Sequence, residues 1–458
     1  MATSQTFEEA IQEFIELSKE LVGVETSESM PPAPPAPYDQ NGPPYENPIR
    51  FDARTIHNYM CTIGDDNPLY NDPEYAKGTK YGCLIAPGPM LSQIRGITAH
   101  GVQYGGEGKR RPGGYPVANY FSGAAWEFFD TIKVGSKFRS SMVTKDLFTK
   151  QGSRGNLIFF ISELMYWDYH GDLAGKCYGT LIMVPIEAMG NSRSMDVDKV
   201  GSQLLYERGT QNYSAEDLQS IVEDIEGMKQ RRRGSETLYW EDVEIGDKLG
   251  PVVVPPWTLQ DLEAPNMVGS CVLHIHKGDP GDELTFEPVF NKFKNNQGHF
   301  VTHPVTRWPW SVSAEHSDPL MAAFRALPGP FDGGVQRTQI PHRLLSDWMG
   351  DDGFVRRQQT AIRKPVFYSD TTYYTGEVVK KFKEIQEGEE GPGAVPGKHE
   401  YHAVGIRLEG KNQVGEISTP GTACIYLPSR ESGPVKLPIP HKAQPDFVPY
   451  DVYYRDWF

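Results

Sequence analysis

The chain has 458 residues, enough for two or three domains and a sizeable core. Its 60 acidic residues outnumber 45 basic ones, giving a formal charge of −15, which argues against nonspecific binding to nucleic acid or anionic membrane. The 37 prolines and 46 glycines predict many turns and few long helices, and no apolar run reaches the roughly 20 residues a bilayer requires.

In chain order, residues 7–22 read as an amphipathic helix, with Phe7, Ala10, Ile11, Phe14, Ile15, Leu17 and Leu21 at three- and four-residue spacings. Residues 1–20 carry acids where a secretory leader has basic and then apolar segments. Five scattered cysteines, Cys61, Cys83, Cys177, Cys271 and Cys424, form no CxxC pair. Together these predict a cytoplasmic setting with reduced thiols. The proline run at 31–37 makes residues 1–47 an arm. A helix-like stretch at 52–61 leads into Gly64-Asp65-Asp66-Asn67-Pro68-Leu69-Tyr70, and a helix is expected to open near Pro89 in Ala86-Pro87-Gly88-Pro89. A glycine-rich basic loop at 105–114 follows; it reads as a mobile surface loop or as a contact for phosphates. Strands are then predicted at 124–129, 137–147, 157–167 and 177–185.

Residues 191–236 read as an acidic helical linker whose basic end, Lys229-Gln230-Arg231-Arg232-Arg233, is either a solvated helix terminus or an anion site. The second half, 237–430, repeats the order of the first, 48–190: loop, helix, then several antiparallel strands ending in Leu-Pro or Val-Pro. An α+β chain of two like units is the economical reading. The aromatic tail, 431–458, is too apolar to stay in water and is expected to dock.

Some signals are negative. The pair His274 and His276 shares a strand face, but spacing supplies no third ligand, so no metal site is assigned. No phosphate-cradling or dinucleotide glycine motif and no Gly-x-Ser-x-Gly appears.

The stretch Ile63-Gly64-Asp65-Asp66-Asn67-Pro68-Leu69-Tyr70-Asn71-Asp72, with Ile85-Ala86-Pro87-Gly88-Pro89-Met90-Leu91 after it, resembles the N-terminal domain of MaoC-like dehydratases, the hot-dog enoyl-CoA hydratases with a FAS1-like dehydratase region. Residues 239–248 and 345–353 are similar to hot-dog dehydratase segments. The resemblance implies a double hot dog: two tandem hot-dog domains, each a long helix wrapped by a curved antiparallel sheet. It implies hydration of an enoyl-CoA or dehydration of a 3-hydroxyacyl-CoA, with coenzyme A as part of the substrate and no other cofactor. The family's pattern, Asp-x-Asn-Pro-x-His, holds the reacting water, while a backbone N–H polarises the thioester.

Carried over residue by residue, Asp65 matches the catalytic aspartate and Asn67-Pro68 its turn, but Tyr70 replaces the histidine. A phenol, with pKa about 10 against about 6.5, is the poorer base. In the second half, aligning Asp318-Pro319 with Asn67-Pro68 makes His316 the candidate base, with Asp318 or Asp332 as partner. Gly88, the free amide between two prolines, and His342, ahead of a helix, are candidate substrate contacts. The candidate site is thus Asp65, Tyr70 and His316 for catalysis and Asn67, Gly88 and His342 for binding. The insertions at 190–236 and 263–305 point to a bulky acyl group. A noncatalytic acyl-CoA-binding subunit, an isomerase or a thioesterase are the alternatives. The docking helix and tail predict a homo-oligomer, or a hetero-oligomer with a related hot-dog protein.

Overall fold

The computed structural model describes residues 6–23, 25–26, 51–94, 117–152, 155–168, 172–185, 208–263, 273–277, 284–288, 305, 315–324, 327–388 and 397–438. Among them, no helix is long and apolar enough to cross a membrane.

The first half contains α1 (Phe7–Lys19), β1 (Glu25–Thr26), α2 (Ala53–Ile63), α3 (Pro68–Asn71), α4 (Pro73–Lys77) and β2 (Ile85–Ala86). It continues with β3 (Val117–Phe128), β4 (Ile132–Lys133), β5 (Phe138–Gly152), β6 (Gly155–Asp168) and β7 (Leu173–Pro185). Then come α5 (Ala215–Arg231), β8 (Lys248–Val254), α6 (Leu259–Glu263), β9 (Leu273–Lys277), β10 (Leu284–Pro288), α7 (Pro319–Phe324) and α8 (Pro341–Met349). The long strands β11 (Phe354–Ala361), β12 (Thr372–Gly388), β13 (Gly397–Asn412) and β14 (Ile417–Tyr426) complete the order.

Ten strands form one antiparallel sheet in the order β1-β5-β6-β7-β3-β11-β14-β13-β12-β8. Its middle is the seam between halves: β3 pairs antiparallel with β11, Gln358 opposite Trp126 and Thr360 opposite Ala124. Each half contributes the strand that follows its helical segment. The repeat read in the sequence therefore becomes β3, β5, β6, β7 against β11, β12, β13, β14. Gly123 lets the seam close: a Cβ there would lie 2.4 Å from the Thr360 carbonyl oxygen. The strands run longer than the predicted ones, because polar residues at their ends still find ladder partners.

Alternation along the strands sends Ala124, Trp126 and Phe128 of β3 into the same core as Leu344, Leu345 and Met349 of α8. That core spans both halves. Full burial of each such leucine contributes about 2 kcal/mol. Helix α8 packs on β8, β11 and β12, and α5 on β8. Thr6 and Glu9 cap α1 reciprocally. Its Phe14 joins Val117, Leu147, Ile158, Phe160, Leu181 and Met183. The apolar face of α1 is thus covered by this chain's own sheet, which withdraws it as a reason to expect oligomers.

The helix expected near Pro89 is, within the described residues, a 3-10 stretch, Gly88–Gln93. The proline run, the 105–114 loop, Cys271 and the tail beyond residue 438 lie outside the described residues. Before that point the chain turns back through a Ser429–Gly433 bridge, and Val435 packs beside Tyr401 and Tyr426. Strand β9 pairs with β10, and among the described residues no three His, Cys, Asp or Glu side chains gather as a metal site would need.

Candidate active site

The corner after α2 is built by capping. Gly64 ends the helix in the left-handed conformation, φ 66°. Asp65 Oδ1 then accepts from the Asn67 N–H at 2.9 Å, and Asn67 Oδ1 accepts from the Leu69 N–H at 3.0 Å, with Pro68 opening α3. Asn71 Nδ2 donates to the carbonyls of Asp65 and Asn67. The side chain of Asn67 is therefore spent on the turn, and it does not line the cleft described below. The expected substrate contact at Asn67 is replaced by a structural one.

Asp65 is left in a different state. It is 4 % exposed, and its Oδ2 has no hydrogen-bond partner. Arg343 Nε and Arg232 Nη2 stand 3.9 and 4.0 Å from Oδ1. Burial pushes its carboxyl up to about 6 from the ordinary 3.8; Arg343 is the largest opposing influence. Tyr70, 3 % exposed, is held far above the ordinary phenol range by burial first and then by the charge of Asp65, and its hydroxyl meets Ser346.

An open cleft lies where the halves meet. Tyr70, Gly88 and Phe128 line it from the first half, and His342, Ser346 and Met349 from α8. Gly88 begins the 3-10 stretch, so its N–H has no acceptor within that turn. A Cβ at Gly88 would lie 2.4 Å from the Phe128 ring. That ring meets His342 edge-on, 5.9 Å between centroids.

His342 has a defined tautomer. Gln358 Nε2 donates to the Thr338 carbonyl at 2.9 Å, and a carbonyl can only accept. Gln358 Oε1 must then be the atom 3.1 Å from His342 Nδ1, so Nδ1 carries the proton and Nε2 the lone pair. Burial lowers the imidazole to about 4, which keeps it neutral at ordinary pH. Gln358, fully buried at an inward position of β11, was not singled out in the sequence. A polar residue at an inward register position is the signal that could have found it.

The structure thus brings Tyr70, Gly88 and His342 to one cleft, with Asp65 buried at the corner that carries Tyr70. It does not bring His316 there. His316 Nδ1 lies 2.6 Å from the Phe331 carbonyl, and its ring sits 4.5 Å from that of Phe331; neither residue lines the cleft. Its two expected partners are engaged elsewhere. Asp318 accepts the N–H groups of Leu320 and Met321, capping α7, and Asp332 pairs with buried Arg337 at 2.6 Å.

The basic run closes the corner. Arg232 bonds Asp347 on α8 at 2.6 Å and also Asp66, Arg343 bonds Asp66 at 3.0 Å and the Gly64 carbonyl, and Arg233 donates to the Trp348 carbonyl. These guanidinium groups are committed to protein carboxylates and carbonyls, joining linker, corner and α8. Neither a solvated terminus nor an anion site describes Arg232.

Residues 46–174 match the family described as FAS1-like, dehydratase domain region. No curated protein matches the chain. Among solved structures, a MaoC-like dehydratase is 12 % identical with a TM-score of 0.51, covering 90 % of this chain and 99 % of its own. A putative MaoC domain protein dehydratase from Chloroflexus aurantiacus is 11 % identical (TM-score 0.46, 84 % and 94 % covered). A protein of Mycobacterium tuberculosis described as a double hot-dog fold is 10 % identical (TM-score 0.41, 84 % and 94 % covered).

Proposed function

We propose that this chain, whose residues 46–174 carry the FAS1-like dehydratase signature and whose fold is the MaoC-like double hot dog, adds water to an enoyl-CoA or removes it from a 3-hydroxyacyl-CoA. The observation that carries the reading is the meeting of Tyr70, Gly88 and tautomer-fixed His342 in one cleft.

Adding water to the double bond of a thioester needs a proton acceptor, an orienting group and a donor for the enolate oxygen. Asp65 is outside the cleft lining, at the buried corner that carries Tyr70; its unpartnered Oδ2 is the proposed acceptor, and its elevated pKa suits a base working near neutral pH. The Nε2 lone pair of His342 accepts the water's other hydrogen and orients it. The imidazole missing at position 70 is in this way supplied by the other half of the chain. Water oxygen bonds to Cβ as its proton passes to Asp65, and that proton then returns to Cα. The Gly88 N–H and the neutral Tyr70 hydroxyl are the donors for the thioester oxygen. One C–O and one C–H bond form at the expense of the π bond with no net oxidation or reduction, so the chemistry calls for coenzyme A within the substrate and no further cofactor. A bulky acyl group and a cytoplasmic location belong to the same reading.

The test is a panel of trans-2-enoyl-CoA esters, from crotonyl to aromatic and alicyclic, followed by mass spectrometry. The expected result is a gain of one water on at least one ester. Binding of every ester without water addition would instead favour the noncatalytic subunit.

Gly88→Ala is a second check. Its methyl group meets the Phe128 ring that positions His342, so overpacking should lower stability by about 1–3 kcal/mol. Turnover should fall about tenfold or more as the N–H and the imidazole lose alignment. Thermal melting and enoyl-CoA kinetics measure the two effects.

A further inference from the structure

A separate polar relay lies on the outer side of α2. Cys61 and His57 are exposed, and neither lines the cleft. One helical turn apart, they place Cys61 Sγ 3.6 Å from His57 Nε2. His57 Nδ1 is 3.2 Å from Asn71 Oδ1.

The direction of this relay follows from its far end. Asn71 Nδ2 donates to two carbonyls, of Asp65 at 3.1 Å and Asn67 at 3.0 Å. Carbonyls only accept, so the amide cannot be flipped and Oδ1 must face His57. His57 Nδ1 is then the protonated nitrogen, and the Nε2 lone pair faces the thiol of Cys61. Nucleophile, base and orienting amide stand in series.

The other described cysteines lack this setting. Cys83 is half-buried, with its thiol on the Tyr81 carbonyl. Cys177 and Cys424 are buried, and burial pushes both thiols up.

We propose that Cys61 is a reactive thiol, activated by His57 and held in register by Asn71, that exchanges with small disulfides. His57 Nε2 takes the Sγ proton. Sγ attacks one sulfur of the disulfide, forming a mixed disulfide and breaking the old S–S bond. The expelled thiolate leaves with the electron pair and takes up the proton. Cys61 is oxidised and the small disulfide is reduced to a thiol, so no other co-reactant is consumed. This assignment is independent of the reaction proposed for the cleft.

Oxidised glutathione is the probe, with peptide mass spectrometry to time the modification of each cysteine in the full-length protein and Cys61→Ser to assign the signal. Cys61 should react about tenfold or more faster than Cys83, and about tenfold or more faster than the same thiol in His57→Gln. Iodoacetamide should show the same ratios. Equal Cys61 rates in the parent and in a His57→Gln variant with unchanged melting would overturn the proposal. Should that variant melt early, the parent protein decides alone: a Cys61 no faster than Cys83 overturns it.

Discussion

His342→Ala should lower kcat for enoyl-CoA hydration by about 10²–10⁴, the range for losing a group that handles a proton in the transition state. The change removes the buried imidazole's hydrogen bond to Gln358 and its edge-on contact with Phe128, so thermal melting of the variant is measured alongside to separate lost chemistry from lost stability. Gln358→Leu is the companion variant. It leaves the imidazole in place but removes the acceptor that holds the proton on Nδ1. A smaller loss in kcat than for His342→Ala is expected, with KM little changed. Steady-state kinetics with a thioester turned over by the parent protein checks both. A pH profile adds a further constraint: with its pKa near 4, His342 should produce no break between pH 5 and 9.

Asp65→Asn should also cost about 10²–10⁴ in kcat, and it should remove the acid limb expected of the parent protein near pH 6, the value to which burial pushes this carboxyl. In the parent, activity should rise as pH passes through 6, because the proposed base is the ionised form. Stability runs the opposite way. The folded pKa of about 6 lies above the unfolded value, near 4, so the contribution is fully present below pH 4 and is lost as pH rises through 6. A shift of about two units corresponds to roughly 3 kcal/mol. Asp65→Asn should therefore flatten the stability profile between pH 4 and 6 and leave the protein at pH 7 no less stable than its parent. Denaturant melts at several pH values measure this. Loss of activity without loss of stability is the mark of a carboxylate kept buried for chemistry.

Much of this was legible in the residues. Alternation and β-branched or aromatic content located β5, β6 and β7, and the same order in the second half anticipated the repeat. The corner from Gly64 to Asp72 was legible because capping has a local grammar: a left-handed glycine, Asp65 to Asn67, Asn67 to Leu69, and a proline opening the next turn. The same grammar misled in the second half. The pattern Asp318-Pro319 detects a helix cap, and a cap is what Asp318 is; the chemistry attached to His316 by alignment does not follow from it.

Long-range partners were not legible. Arg232 belongs to a run that looks solvated, and its partners Asp66 and Asp347 come from segments far away in the chain. His342 was visible as a histidine ahead of a helix. Its meeting with Tyr70 and Gly88 depends on β3 pairing with β11 across more than 200 residues, a distance over which local signals carry no information.

The most direct test is a crystal structure of the His342→Ala protein with crotonyl-CoA bound. The acyl chain should lie in the cleft between Tyr70 and α8, its thioester oxygen within hydrogen-bond distance of the Gly88 N–H or the Tyr70 hydroxyl. An acyl chain seated instead beside His316 and Phe331, away from that cleft, would contradict a site shared between the two halves.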